Sequence, residues 1–300
     1  MSQARVIRTA ADLATLDVAA LADRVEPQRV LMCTPDSFDV VDVKNAFMEG
    51  NVGTVDRAEA VAEWEALRRA FEAAGHEVVT IEGAPGLEDM VFSANQALPG
   101  MGEDGTPYVV LSHMLYPSRQ REVPYFRDWF AMRGYRILEL PASVELFEGQ
   151  GDALWHPGKA LLWGGYGHRT TLGAYEALSE LLEVPVIALE LVHTDFYHLD
   201  TAFCALAPDA VMIYPEAFTP EGRDLIAGVF DRVVEVDARE ASERFACNGT
   251  ALDSRTVLIQ RGADTTVAKL RAAGFEPVEV ETGEFLKSGG SVFCMKMMIY

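Results

Sequence analysis

Four polar segments interrupt an otherwise regular alternation of apolar runs, and each sets reactive side chains beside glycine or at the end of an expected strand. Gly86 to Asn95 carries Asp89 ahead of an apolar pair, with Asn95 closing it. Phe147 to Asp152 places Glu148 and Asp152 around Gly149 and Gly151, small residues that let backbone come close to a ligand. Phe196 to Thr201 sets His198 and Asp200 two apart, so that on a strand both would face one way. Lys287 to Cys294 contains Ser288 and the pair Gly289-Gly290 before a cysteine.

Taken singly, each has an ordinary explanation. An Asp in a turn is usually a turn former, a lone His on an apolar stretch is usually a satisfied core residue, and a lone buried cysteine is usually inert. Together they form a kit of nucleophile, proton carrier and carboxylates able to hold a cation. The chain lacks HExxH, HxH and paired-cysteine spacings for metal, and GxGxxG or GxxxxGK[ST] for nucleotides. Covalent hydrolysis is therefore favoured over metal-assisted hydrolysis, with no cofactor expected.

The elements that must position these groups alternate between strand and helix. Arg29 to Cys33 reads as the first convincing strand, and residues 1–28 before it as a peripheral segment with a short helical pattern around Ala11 to Ala22. Ala60, Trp64, Leu67 and Phe71 fall at helical spacing within Asp56 to Ala74, and Gly75 supplies a stop. Strands are expected at His76 to Glu82, Tyr108 to Ser112 and Tyr135 to Leu140, with a helix over Arg121 to Arg133. A hairpin through Asp152 to Trp163 should turn at Pro157-Gly158. Beyond it come helix Leu172 to Leu182, strand Val186 to Val192, an apolar run Thr201 to Tyr214, a helix opening at Pro220 and strand Arg232 to Val236. Strand Thr256 to Gln260, helix Asp264 to Ala273, strand Pro277 to Glu281 and a strand around Cys294 complete the chain. About five strand-helix-strand modules in residues 29–300, with no dividing linker, indicate one α/β domain of radial pseudo-repeats.

The 300 residues are 49% hydrophobic, enough for a sizeable core, and carry a formal net charge of −21. That charge repels phosphate backbones and excludes nucleic acid as a natural partner, while remaining compatible with attracting a cationic small molecule. The four cysteines, Cys33, Cys204, Cys247 and Cys294, form no CxxC pair, and no secretory pattern or long apolar run is visible. A cytoplasmic protein with no membrane association is expected, and a homo-oligomer is compatible with the sequence.

At these segments the chain resembles the guanidino-group-modifying superfamily of the pentein fold, five αβ modules around a pseudo-fivefold axis. The superfamily includes arginine deiminases, dimethylarginine dimethylaminohydrolases and amidinotransferases. Within it the pattern is most similar to the arginine dihydrolases that form ornithine and ammonia. The similarity runs from about Val30 to about Lys296 through Asn45 with Met48 to Asn51, Asp89 to Phe92, Phe147 to Gly149, Gly151 to Leu154, Gly165 to Gly167 with Arg169, Tyr197 to Thr201, and Gly289-Gly290 before Cys294. Ala46 and Ser93 depart mildly from a pattern that often has Pro and Thr there.

The resemblance implies that Cys294 is the nucleophile, His198 the acid/base and Glu148 their neighbouring carboxylate. Asp200 and Asn95 would hold the guanidinium, and Asn45, Arg119 and Arg169 the amino-acid end, with Arg121 close enough to Arg119 to compete for that place. Asp89, Asp152 and Ser288 complete the expected substrate-binding set. Asn95 stands where the superfamily's deiminases tend to carry Asp, and its amide could both donate to and accept from a neutral ureido group, so that a second hydrolysis would follow the first. The expected products are ornithine, carbon dioxide and two ammonia molecules. A dimethylarginine hydrolase or a citrulline-forming deiminase is the nearest alternative; an amidinotransferase or a non-catalytic binding module is further away.

Overall fold

The computed structural model describes residues 5–300. Five small sheets succeed one another along the chain, and four of them share one plan: an inner strand runs antiparallel to a middle strand, which runs parallel to an outer strand reached through a helix. The inner, middle and outer strands are Ala97–Met101, Pro107–Leu111 and Arg136–Leu138; Ala153–Trp155, Leu162–Tyr166 and Pro185–Glu190; Phe203–Ala207, Ala210–Ile213 and Arg232–Glu235; and Thr250–Ala251, Thr256–Gln260 and Glu276–Val280. The fifth sheet closes the ring from both ends of the sequence, Met297–Ile299 pairing antiparallel with Arg29–Cys33, which pairs parallel with Glu77–Ile81. This is the expected α/β pentein architecture.

The helices follow their apolar spacing. Arg57–Ala73 buries Ala60, Trp64, Leu67 and Phe71 on one face, and the Asp56 carboxylate caps its start by accepting from the Ala58 and Glu59 amides. Phe38 stacks on Phe285 at 4.7 Å and meets Phe92 edge-on at 5.8 Å, which makes a rigid bed beneath Gly290. Aromatic pairs of this kind add about 0.5–1.5 kcal/mol each beyond their buried area.

Several local expectations change. The helix anticipated over Arg121 to Arg133 is split into Pro117–Gln120 and Val123–Ala131. Glu122, buried at the junction, is held there by Arg119 and Gln96. The apolar run Thr201 to Tyr214 folds as a hairpin of two strands about Pro208 and Asp209. Helix Ala238–Arg244, capped by Asp237, was not anticipated because its exposed face is almost wholly charged. Residues 5–28 supply more than a surface wrap: Arg5–Ile7 adds a parallel edge strand beside Pro185–Ile187, and Ile7 and Leu21 enter the core. The helical pattern there shortens to Ala10–Leu13.

The segment through His198–Asp200, where a strand would have aimed both side chains one way, and the strand expected around Cys294 are turns instead. Leu199–Thr201 is one turn of 3-10 helix, because the Asp152 carboxylate accepts the Leu199 amide and the Thr201 hydroxyl donates to the His198 carbonyl. His198 and Asp200 consequently point to different partners. Cys294 lies in a turn in which the Met295 amide donates to the Ser291 carbonyl, and the final strand starts only at Met297.

Candidate active site

Every module delivers at least one candidate site residue in the connection that leads into its inner strand. Asn95 precedes Ala97–Met101, Glu148 and Asp152 precede Ala153–Trp155, His198 and Asp200 precede Phe203–Ala207, Asn248 precedes Thr250–Ala251, and Cys294 precedes Met297–Ile299. Five inner strands around one axis therefore bring five connections to one end of the ring. Close approach there needs glycine: a Cβ on Gly149, whose φ is +53°, would stand 2.7 Å from the Asn95 and Ala97 carbonyl oxygens, and one on Gly151 would stand 2.2 Å from Asn95 Nδ2.

These connections surround a narrow cavity lined by Cys294, His198, Asn95, Asp89, Ser288, Asn45, Arg119 and Arg169, together with Lys44, Met48, Phe92, Tyr197 and Gly289. Glu148, Asp152 and Asp200, all 0% exposed, stand behind this lining. Glu148 lies directly under His198, its Oε2 2.7 Å from Nε2, and also receives Arg169 Nη1 at 3.3 Å and the Leu115 amide at 3.0 Å. Burial alone would raise the Glu148 pKa, but the hydrogen bond and charge of His198 and the nearby guanidinium groups hold it down to about 2. Burial lowers His198 to about 4 against the opposing pull of Glu148. An ionised carboxylate only accepts, so Nε2 of the neutral imidazole carries the proton and Nδ1 is the free base.

Cys294 sits in a second cluster. Cys294 Sγ donates to Asp200 Oδ2 at 3.2 Å, and Asn248 Nδ2 donates to Sγ at 3.1 Å and to the Asp200 carbonyl at 3.0 Å. Asn248 Oδ1 in turn accepts the Ser291 amide at 3.0 Å and the Cys294 amide at 3.2 Å, which fixes the turn that carries Cys294. Burial and the adjoining Asp200 push the Cys294 thiol well above its usual range. Burial also raises Asp200 to about 7, opposed by the Cys294 hydrogen bond and the Lys296 charge. An incoming cation would relieve both shifts, since it offsets the negative charge that burial penalises.

The remaining expected residues divide by what they touch. Asn95 Oδ1 accepts from Arg119 Nη1 at 3.0 Å; because arginine only donates, the oxygen must face Arg119, and Nδ2 is left buried without a partner. Only the donor half of the amide is free, rather than the donor and acceptor both. Arg119 also donates to Glu122 and to the Asp89 and Phe92 carbonyls, which spends its fork on protein groups. Arg121 donates to the exposed Gly86 carbonyl and does not line the cavity.

Arg169 is gripped between the rings of Tyr116 and Tyr197, at 4.7 and 4.6 Å, and donates to the Lys44 carbonyl. Asn45 caps the turn Ala46–Met48 and donates to Tyr197 Oη and the Ser288 carbonyl. Asp89 receives the Ser288 hydroxyl at 3.2 Å and pairs with Lys44 at 3.1 Å. Asp152 is turned from the cavity, its oxygens taken by Thr170 and the Leu199 amide; its place is to shape the His198–Asp200 turn.

Sequence reasoning missed Asn248, Lys44 and Tyr197. For Asn248 the signal was positional: it stands two residues before its inner strand, as Asn95 does, so a fivefold reading of the chain points to it. Among the described residues there is no cluster of three or more His, Cys, Asp or Glu side chains able to hold a metal, and no helix long and apolar enough to cross a membrane.

Comparison with known proteins agrees with this geometry. Residues 34–300 match the family described as N,N dimethylarginine dimethylhydrolase, eukaryotic. The bifunctional arginine dihydrolase/ornithine cyclodeaminase AgrE of Nostoc is 37% identical over 90% of the chain, which spans only 38% of that longer protein. The N(G),N(G)-dimethylarginine dimethylaminohydrolase of Mycobacterium tuberculosis is 35% identical over 91% of this chain and 86% of its own. The N-terminal domain of ArgZ, an arginine dihydrolase from the ornithine-ammonia cycle in cyanobacteria, superposes with a TM-score of 0.84 at 36% identity, covering 90% of this chain and 97% of that domain. With its five-bladed architecture and this sequence similarity, the chain belongs to the dimethylarginine dimethylhydrolase family of the guanidino-group-modifying pentein superfamily, a family of hydrolases acting on guanidino C–N bonds.

Proposed function

We propose that this chain hydrolyses arginine twice at its guanidino carbon, giving ornithine, carbon dioxide and two ammonia molecules. The observation that carries the reading is the pairing of two buried devices at one cavity: a thiol bonded to a carboxylate and an amide, and an imidazole bonded to an ionised carboxylate. A guanidinium is a resonance-stabilised cation that water barely attacks, so a site for its hydrolysis needs carboxylates to hold it and a strong nucleophile. Asp200 holds the cation by charge-assisted hydrogen bonds, and the bound charge favours the thiolate of Cys294.

The thiol proton passes to His198, whose imidazolium is stabilised by Glu148. As the new S–C bond forms and a C–N bond breaks, His198 returns that proton to the leaving ammonia. Water deprotonated by His198 then adds to the thiouronium carbon and releases the thiolate, leaving a neutral ureido group. The free Nδ2 of Asn95 is a donor suited to the ureido oxygen, which retains the intermediate for a second attack; a second ammonia and then a carbamate leave, and the carbamate loses carbon dioxide. Arg169 is the cavity cation best placed for the α-carboxylate, held rigid by its two tyrosines.

Support also comes from the cyanobacterial arginine dihydrolase, solved as a cysteine-to-serine variant bound to substrate and as an asparagine-to-serine variant covalently bound to a reaction intermediate. A dimethylarginine substrate is the second reading, favoured by the full-length match to the mycobacterial relative. The product mixture separates them. Incubation with arginine should give ornithine and about two ammonia per arginine, and none with Cys294→Ser, because a serine hydroxyl is rarely ionised near neutrality. Dimethylamine from dimethylarginine, with arginine untouched, would replace the first reading by the second.

A further inference from the structure

The ring has a second cavity, at the end of the axis opposite the cysteine. About 330 Å³ in volume, it runs along four of the inner strands, with Leu154, Trp155, Leu206, Leu252 and Met298 as apolar walls. Its floor is polar. Lys296 and Gln150, which are 2% and 7% exposed, both line it.

Lys296 is a buried ammonium with no counter-ion. Its Nζ lies 3.3 Å from the centroid of the Phe293 ring and, among the described residues, has no hydrogen-bond or ion-pair partner. Lys44, the other buried lysine, has carboxylates from Asp42, Glu88 and Asp89 around it. Gln150 Oε1 is likewise buried without a partner, so the lining of one cavity carries both a cation and an unsatisfied amide beneath apolar walls. Buried polar groups in folded proteins are paired, and an unpaired set converging on a cavity marks a place where a ligand supplies the partner.

We infer that this cavity binds a small organic carboxylate with an apolar chain, one carboxylate oxygen on Lys296 Nζ, the other on the Gln150 amide turned to donate, and the chain along the walls. Arg24, stacked on Trp155 at 5.4 Å, stands at the mouth with Glu26 and Asp253, so the entrance carries both signs of charge. Burial lowers Lys296 to about 7, while Cys204, Asp200 and Cys294, facing it from the neighbouring connections and strand, pull upward. A carboxylate is held only by the charged form, so binding weakens as pH rises through that value.

Calorimetric titration of the full chain with hexanoate tests this, with hexanol as the apolar control. Saturable hexanoate binding about tenfold weaker at about pH 8 than at about pH 6 is expected. Lys296→Met should abolish it, and Ala205→Phe, which projects a ring into the cavity from a half-buried wall position, should weaken it. Cys294→Ser should leave it intact, and arginine should not compete, so the result is independent of which guanidino compound is turned over. Equal binding of hexanol, an affinity unchanged between the two pH values, or displacement by arginine would each overturn the proposal.

Discussion

Replacing Asn248 by Asp separates the two jobs of that side chain. Its oxygen accepts two buried backbone N–H groups, from Ser291 at 3.0 Å and Cys294 at 3.2 Å, while its nitrogen donates to Cys294 Sγ at 3.1 Å. Asp keeps the acceptor and therefore the turn. It loses the donor to the sulfur, and a hydrogen bond to a charged group contributes about 1.5–3 kcal/mol. At about 1.4 kcal/mol per decade, kcat/KM should fall at least about 10- to 150-fold, and further because the new carboxylate opposes the thiolate. Alkylation of Cys294 should need higher pH. Asn248→Ala, by contrast, strands both N–H groups at about 1–3 kcal/mol each and should lower the melting temperature. Steady-state rates, thermal unfolding and alkylation rate against pH give the three readings. An Asn248→Asp enzyme with near-native kcat/KM and an unchanged alkylation profile would refute the role assigned to the amide.

Other outcomes follow from the same contacts. Asp200 is raised to about 7, so it is protonated and neutral below that pH and cannot hold a cation; kcat/KM for arginine should climb with pH to about 7 and then level, and initial rates that are flat from about pH 5 to 8 would exclude it as the guanidinium holder. Asn95→Asp places a carboxylate against Arg119, where it is well paired but no longer donates to a ureido oxygen, so chromatography should show citrulline accumulating in place of ornithine. Dialysis against EDTA should leave the rate unchanged, because no step uses a metal; activity lost and restored only by a divalent ion would point to a different chemistry.

The modular plan was legible because apolar spacing and glycine stops are local signals, as in Arg57–Ala73 and in the turn after Trp155. What sequence could not give was the behaviour of backbone at the site. His198 to Asp200 has the alternation of a strand, yet the Asp152 carboxylate, 47 residues away from Leu199 in sequence, captures the Leu199 amide and curls the segment. Cys294 lies within a β-prone stretch, and a distant Asn248 holds it in a turn. Asp152 was visible as a polar residue in the right segment and Arg119 through the family resemblance, but only tertiary contacts reveal that both are occupied with protein partners. The orientation of Asn95 depended on Arg119, 24 residues on.

The central claim is a covalent bond between Cys294 and the guanidino carbon, and mass spectrometry of acid-quenched turnover tests it most directly. With arginine labelled at the guanidino carbon, the peptide containing Cys294 should gain the mass of arginine less ammonia, and the label should appear there on no other residue. Turnover with no labelled peptide at any quench time, or with urea released as the product, would contradict the covalent account.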